Sequence, residues 1–210
     1  MSKQIEQSLR DTLAQTTDIS PRPVSNIELP LKLDKLLTPA LLKTLRPAAV
    51  LVPVMRRRSG LTLMLTRRAA HLRSHKGQIS FPGGRRDEAD LSIAANALRE
   101  AQEEVGLHPR HVEVIGYLDD YPTITRYLVT PVVGIVSGSP KLAADASEVA
   151  EIFEVPLEFV LDHKNFERKA FSQGGLNVPF FELNYENYRI WGATAGMLWN
   201  LAQKVAGACV

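Results

Sequence analysis

Apolar positions recur with two spacings along the chain, and the changes between them mark out its elements. Ala48–Met55, AAVLVPVM, is an almost unbroken apolar run and predicts a buried strand. The turn-like Arg57–Gly60 follows, then a second strand over Leu61–Thr66. His111–Leu118 and Tyr127–Val136 predict two more strands, and Phe166–Phe171 and Pro179–Leu183 two short ones. Helical spacing governs the leucines between Leu29 and Leu45, with a break near Pro39. The clearest helix is predicted over Asp90–Val105, with Asp90 as its N-cap and Gly106 as its stop. A short helix is expected over Pro156–Leu161, a C-terminal one over Gly192–Val205, and a polar one near residues 3–15. From the second strand to about Arg86 the chain reads as glycine-rich loop.

Strands alternating with helices predict an α/β fold, a mixed sheet covered on both faces. The proline-punctuated stretch Asp18–Pro23 lies too near the end to separate a second domain. The expected organisation is an N-terminal extension, residues 1–28, with a short helix and linker, then a single domain over 29–210.

Composition narrows the class. The 210 residues suffice for one full core, and 45% hydrophobic with 23% charged residues is ordinary for a globular chain. A net charge of +2 gives no bulk-charge argument for nucleic acid or a membrane surface. No apolar run approaches the roughly 18 residues of a membrane span. The N-terminus, MSKQIEQSLRDTLAQ, lacks the apolar core of a signal peptide. Cys209 is the only cysteine, so no internal disulfide forms, and a reducing cytoplasmic setting is expected.

Charge is segregated along the chain. Arg56–Arg86 holds nine basic residues and no acid: Arg56, Arg57, Arg58, Arg67, Arg68, Arg73, Lys76, Arg85 and Arg86. Asp87–Glu104 then holds six acids against Arg99 alone. Either a solvated basic loop lies beside a solvated acidic helix, or an anion site faces a cation site. A phosphate ester bridged to a divalent metal would suit the second arrangement. Gly77, Gly83 and Gly84 would let backbone N–H groups approach such an anion.

The acidic helix ends in REAQEEVGL, Arg99–Leu107. At about 100° per residue, Glu100, Glu103 and Glu104 share an arc of about 100°. Ala94, Ala97, Leu98, Ala101 and Val105 fill the adjoining arc and predict the core-facing side. Three acids in a last turn repel one another, at about 0.2–0.5 kcal/mol per pair, and oppose the helix dipole. Arg99 can relieve Glu103 at i,i+4 but not all three. Carboxylates gathered at this cost are either an exposed acidic face or a magnesium or manganese site.

Gly84–Leu107, GRRDEADLSIAANALREAQEEVGL, resembles the Nudix box. Arg99, Glu100, Ala101, Glu103, Glu104, Gly106 and Leu107 match its second half, Arg-Glu-apolar-any-Glu-Glu-any-Gly-apolar. The first half departs: six residues after Gly84 stands Asp90 in place of Glu, with eight residues rather than seven before Arg99. Upstream, Leu65–Gly84, LTRRAAHLRSHKGQISFPGG, resembles the coenzyme A pyrophosphatase branch of that family. The matching residues are Leu65, Thr66, Arg68 or its neighbour Arg67, Arg73, Gly77, Gln78 and Phe81–Gly84. The displaced spacing and the Ile190-Trp191-Gly192 run fit the same branch.

The resemblance implies a Nudix-type α/β/α sandwich and a metal-dependent cleavage of coenzyme A at its diphosphate. Mg2+ or Mn2+ would be held by Glu100 and Glu104, with Glu103 as a further ligand or as base, and Arg99 would orient Glu103. Arg67, Arg68, Arg73, Lys76, Gly83 and Gly84 would bind the substrate phosphates. The base could also be Glu148 or Glu151 from a later segment. Another nucleoside diphosphate derivative, such as ADP-ribose, NADH or a dinucleoside polyphosphate, or a non-catalytic binding module, are the competing readings. A small molecule is the expected partner, with no nucleic acid or membrane, and a homodimer is a family-level expectation.

Overall fold

The computed structural model describes residues 2–20, 22–24, 38–72, 75–173 and 176–207. In chain order its helices are α1 (Ser2–Leu13), α2 (Pro39–Leu42), α3 (Ile93–Val105), α4 (Leu157–Leu161) and α5 (Ala193–Gly207). Its strands are β1 (Arg46–Arg57), β2 (Gly60–Arg68), β3 (Ile79–Ser80), β4 (Gly83–Arg85), β5 (Val112–Tyr117), β6 (Tyr121–Pro122), β7 (Tyr127–Val136), β8 (Val149–Pro156), β9 (Phe166–Gln173), β10 (Leu176–Tyr185) and β11 (Tyr188–Trp191).

Eight strands form one mixed sheet. Its path runs β3-β2-β1-β7-β5, with β4 beside β1, β6 beside β7 and β8 beside β2. β1 and β7 run parallel from Arg46↔Tyr127 to Met55↔Val136, and the other pairs are antiparallel. A second sheet has the antiparallel order β11-β10-β9.

Period-two alternation explains the layers. In β1, Ala49, Leu51 and Met55 point to one face, while Val52 and Val54 point to the other. The first face is covered by α3, through Ala97, Ala101 and Val105. The second is covered by α1 and α5, where Leu9, Leu13, Leu198 and Leu201 are buried. The result is the α/β/α sandwich expected from the sequence, with the acidic helix on one side of the main sheet and α1 and α5 on the other.

Several boundaries differ from the sequence reading. α3 begins at Ile93, and its N-cap is Ser92, whose Oγ accepts from the Ala95 N–H at 3.0 Å. Asp90 is therefore not the cap. It lies two residues further upstream, buried, and serves Arg99 instead. The stop at Gly106 is as expected: φ is 68°, and the Leu107 N–H reaches back to the Ala101 carbonyl at 3.2 Å. The segment read as loop up to Arg86 contains β3 and β4, and β8 and β11 were not anticipated. Of the leucine pattern before Leu45, residues 29–37 lie outside the described residues, as do Arg73 and Cys209. No helix among the described residues is long and apolar enough to cross a membrane.

The first residues pack closely. Leu9 and Leu13 are fully buried, and Arg10 makes a two-pronged pair with Glu113 at 2.7 Å. Asp18 reaches the start of α3, where its two carboxylate oxygens accept from the Ile93 and Ala94 N–H groups at 3.2 and 3.1 Å. Tyr117 donates its hydroxyl to the same carboxylate at 3.0 Å.

Candidate active site

The last two turns of α3 pack beside β4 and against the loop before β8, and this places the three glutamates differently. Glu103 is exposed, Glu100 half-buried and Glu104 buried. Burial pushes the Glu104 carboxyl up to about 8. Arg68 pulls it down, while Glu148 and Glu100 push it further up. Glu100 is also raised, by burial first, against the opposing pull of Arg99.

Arg99 organises the cluster. Its guanidinium meets Glu103 at 2.9 Å, Glu100 at 2.9 Å and the buried Asp90 at 2.9 and 3.0 Å. The planar fork and fixed charge of arginine suit three carboxylates at once. Asp90 is held well below the usual carboxylate range by this contact. Asp90, the point where the chain departs from the Nudix pattern, thus anchors the arginine that positions the glutamates.

Of the two glycines of FPGG, Gly83 is required by space, and Gly84 lies directly against the Glu100 carboxylate. A Cβ on Gly84 would stand 2.5 Å from a Glu100 carboxylate oxygen. On Gly83, whose φ is 158°, it would stand 2.4 Å from the Ala49 carbonyl oxygen. β4 pairs with β1 through Ala49↔Gly84 and Val50↔Gly83, which brings the backbone against the glutamates.

A second loop closes the far end of α3. The Ala143 and Asp145 N–H groups donate to the Val105 and Glu104 carbonyls at 3.0 and 2.9 Å, satisfying acceptors that a helix end leaves open. That loop continues to Glu148, whose charge acts on both Glu100 and Glu104. It also meets the basic segment, since the Ala69 N–H donates to the Glu148 carbonyl at 2.8 Å and His71 Nε2 contacts the Ser147 carbonyl at 3.0 Å.

The sequence-derived residues divide by face. Arg68, Glu100, Glu104, Glu148 and Gly84 gather on the α3 side. Arg67 lies on the opposite face of β2, pairing with Glu151 at 3.4 Å and lying 5.2 Å over the Tyr188 ring. Tyr188 stacks on Phe153 at 3.7 Å and donates its hydroxyl to Glu151 at 2.7 Å. Arg67 and Glu151 are therefore not brought to the glutamate cluster. Lys76 is exposed in the loop between β2 and β3.

Among the described residues no three His, Cys, Asp or Glu side chains are arranged to hold a metal ion as they stand. The donor set nevertheless suits a hard divalent cation. Glu100, Glu104 and Glu148 are mutually repelling oxygen donors, two of them partly desolvated, and a cation would relieve both penalties. Sequence reasoning missed Asp90 as an anchor and Asp18 as a cap; each is an ordinary acid whose partner is distant in sequence.

Comparison with known proteins gives the family. Residues 45–173 match the NUDIX domain family. The uncharacterized Nudix hydrolase NudL of Citrobacter koseri is 45% identical over 161 residues, covering 76% of this chain and 83% of that one. NudL of Escherichia coli O7:K1 is 43% identical over 160 residues, with the same two shares, 76% and 83%. Among solved structures, the Nudix hydrolase RenU of M. smegmatis superposes with a TM-score of 0.50 at 19% identity, over 77% of this chain and 87% of that one, a likeness of fold. With the family match spanning more than half of the sequence, and relatives this similar covering three quarters of it, the chain belongs to the Nudix family and is a Nudix hydrolase, acting on phosphoric anhydrides.

Proposed function

We propose that the protein is a metal-dependent pyrophosphohydrolase of coenzyme A or its derivatives, yielding 3′,5′-ADP and 4′-phosphopantetheine or its acylated form. The observation that carries this reading is the meeting of two segments on one face of the sheet. Arg68, from the stretch resembling the coenzyme A branch, lies near enough for its charge to lower the Glu104 carboxyl of the Nudix helix. The Gly83–Gly84 end of the same stretch lies against Glu100.

In this reading Glu100 and Glu104, with Glu103 as a further ligand, would hold Mg2+ or Mn2+. The ion would neutralise the phosphoryl oxygens and lower the pKa of a bound water. Arg99 fixes the carboxylates. Arg68, Lys76 and Arg73 bind phosphate, and the Gly83–Gly84 backbone allows close approach of the diphosphate. Glu148 is the favoured base, because it faces Glu100 and Glu104 while Glu151 is engaged on the other face. It takes the proton of the attacking water as the water oxygen bonds to one phosphorus and the bridging oxygen leaves with the other. The basic stretch offers cations for the extra 3′-phosphate of coenzyme A. A homodimer belongs to the same expectation.

The test is incubation with Mg2+ or Mn2+ and a panel of coenzyme A, its thioesters, ADP-ribose, NADH and dinucleoside polyphosphates. Products are identified by mass spectrometry in isotopically labelled water. Cleavage of coenzyme A to 3′,5′-ADP is expected. Intact coenzyme A beside cleaved ADP-ribose would overturn the assignment.

A further inference from the structure

Glu148 is exposed, so close packing does not aim its carboxylate. Its backbone does. The two peptide units flanking its Cα are planar, and fixing both planes fixes the direction of the Cα–Cβ bond. All four polar atoms of those units are hydrogen-bonded. The Glu148 and Val149 N–H groups donate to the Asp145 carbonyl at 2.9 and 2.8 Å. The Glu148 carbonyl accepts from the Ala69 N–H at 2.8 Å. The Ser147 carbonyl accepts from His71 Nε2 at 3.0 Å. A carbonyl oxygen only accepts, so Nε2 carries the hydrogen.

Three of the four bonds join backbone to backbone. The fourth alone depends on a side chain, that of His71. The frame is also tied at both ends to the rest of the site. Asp145 donates its N–H to the Glu104 carbonyl at 2.9 Å, and its carboxylate accepts from the Ser147 N–H at 2.9 Å and hydroxyl at 2.7 Å. On the other side, Ala69 and His71 belong to the turn that directly follows Arg68, closed by the Leu72 N–H on the Ala69 carbonyl at 3.4 Å. Glu148 is therefore held between the metal-binding helix and the basic segment.

We infer that His71 is a positioning residue for the hydrolysis, holding the Ser147–Glu148 peptide so that the Glu148 carboxylate points at the attacking water. The inference rests on the reading of Glu148 as base, and not on which diphosphate is cleaved. In this role His71 touches neither substrate nor metal. Without its bond the peptide turns about the Glu148 φ angle, and the carboxylate spreads over a wider arc.

The test compares His71→Leu, His71→Gln, Glu148→Gln and the double variant His71→Leu/Glu148→Gln. Steady-state kinetics use Mg2+ and whichever diphosphate of the panel the wild type cleaves. His71→Leu is expected to lower kcat about tenfold at unchanged KM, within the cost of misplacing a reacting group by about an ångström. His71→Gln keeps a side-chain N–H donor of similar reach and should recover most of that loss. The double variant should be no slower than Glu148→Gln, since a residue acting through Glu148 has nothing left to position. In the metal-free protein, amide exchange at Glu148 and Val149 should quicken in His71→Leu and not in His71→Gln. A raised KM at wild-type kcat, losses that multiply in the double variant, or unchanged exchange in His71→Leu would each overturn the inference. Glu148→Gln working at the wild-type rate would remove the base, and the inference with it, while leaving the metal site and its substrate standing.

Discussion

Two glutamates of this protein are almost equally hidden from water and behave in opposite ways. Glu182 on β10 is 2% exposed, and Glu104 on α3 is 4% exposed. Glu182 accepts from Arg189 Nε at 2.7 Å and Asn184 Nδ2 at 3.2 Å, and it also pairs with Lys169. These partners hold its carboxyl down to about 2. Glu104 has Arg68 acting on it, but also two like charges, and burial drives it up to about 8. Both are screened from water, but Glu182 lies near the surface beneath the exposed side chains of Arg189 and Lys169, whereas Glu104 is set deep against the sheet, so depth as well as partners separates them. The second sheet closes its acid with donors and gains a rigid crosslink. The acidic helix leaves its own acid short of donors, a destabilising arrangement that a cation would reverse.

The sharpest way to break this contrast is to neutralise each acid in turn. Glu104→Gln should lower diphosphate hydrolysis by on the order of 10³-fold, since a metal ligand accounts for several kcal/mol of transition-state stabilisation. The metal-free protein should become no less stable, because a desolvated charge is gone. A Glu104→Gln enzyme working at the wild-type rate would end the proposed metal role. Next in size is Arg99→Lys. Lysine keeps the charge but cannot span Asp90, Glu100 and Glu103 together, and loss of such a positioning partner is typically about 10–100-fold in metal affinity or activity. Mn2+ titration followed by electron paramagnetic resonance should show weaker binding at unchanged melting temperature.

Glu182→Gln is expected to act the other way, on stability and not on rate. It should cost about 1–2 kcal/mol in urea unfolding, a value kept low because Arg189 and Lys169 are themselves partly exposed. The pH dependence separates the two acids by sign. A carboxyl raised from 4.5 to about 8 stabilises the fold below pH 4.5 and loses that contribution as pH rises towards 8. One lowered to about 2 contributes above pH 4.5 and loses it as pH falls towards 2. Melting temperatures of the metal-free protein should therefore respond to Glu104→Gln on the neutral limb and to Glu182→Gln on the acid limb. The same limb responding to both variants would contradict the contrast.

How much of this was legible in the sequence follows from what each feature depends on. The two strands at the centre were visible, though not their parallel pairing, because β1 and β7 are nearly continuous apolar runs, and the glutamate arc because helical spacing is local. β8 was hidden because Glu151 and Glu154 interrupt its apolar residues, and they are tolerated there by Arg67 on the adjacent β2 and by Arg57 at the end of β1. β4 has little side-chain pattern to read, since Gly83 and Gly84 are two of its three residues. Arg67 and Arg68 are adjacent in a basic run, and strand alternation alone sends them to opposite faces. The role of Asp90 depends on Arg99, nine residues on and across the start of the helix, which no local spacing reveals.

The smallest expected effect bears on why the glutamate helix can carry its burden at all. The helix starts with one acid and one hydroxyl answering its free N–H groups: Asp18 takes those of Ile93 and Ala94, and Ser92 takes that of Ala95. A negative charge at this end is favourable to the helix dipole, whereas the glutamates at the other end oppose it. Asp18 lies outside the part of the chain that matches the family, residues 45–173, so the N-terminal segment supplies a support the matched region lacks. Asp18→Ala should cost about 1 kcal/mol, the usual value of a lost cap, and should release the Tyr117 hydroxyl as well. The Tyr117 phenol, raised to about 12 by burial and by Asp18, should then titrate lower. Amide hydrogen exchange should quicken at Ile93 and Ala94 more than at Glu103. Uniform acceleration along the whole helix would mean that Asp18 holds the helix onto the sheet and does not cap it.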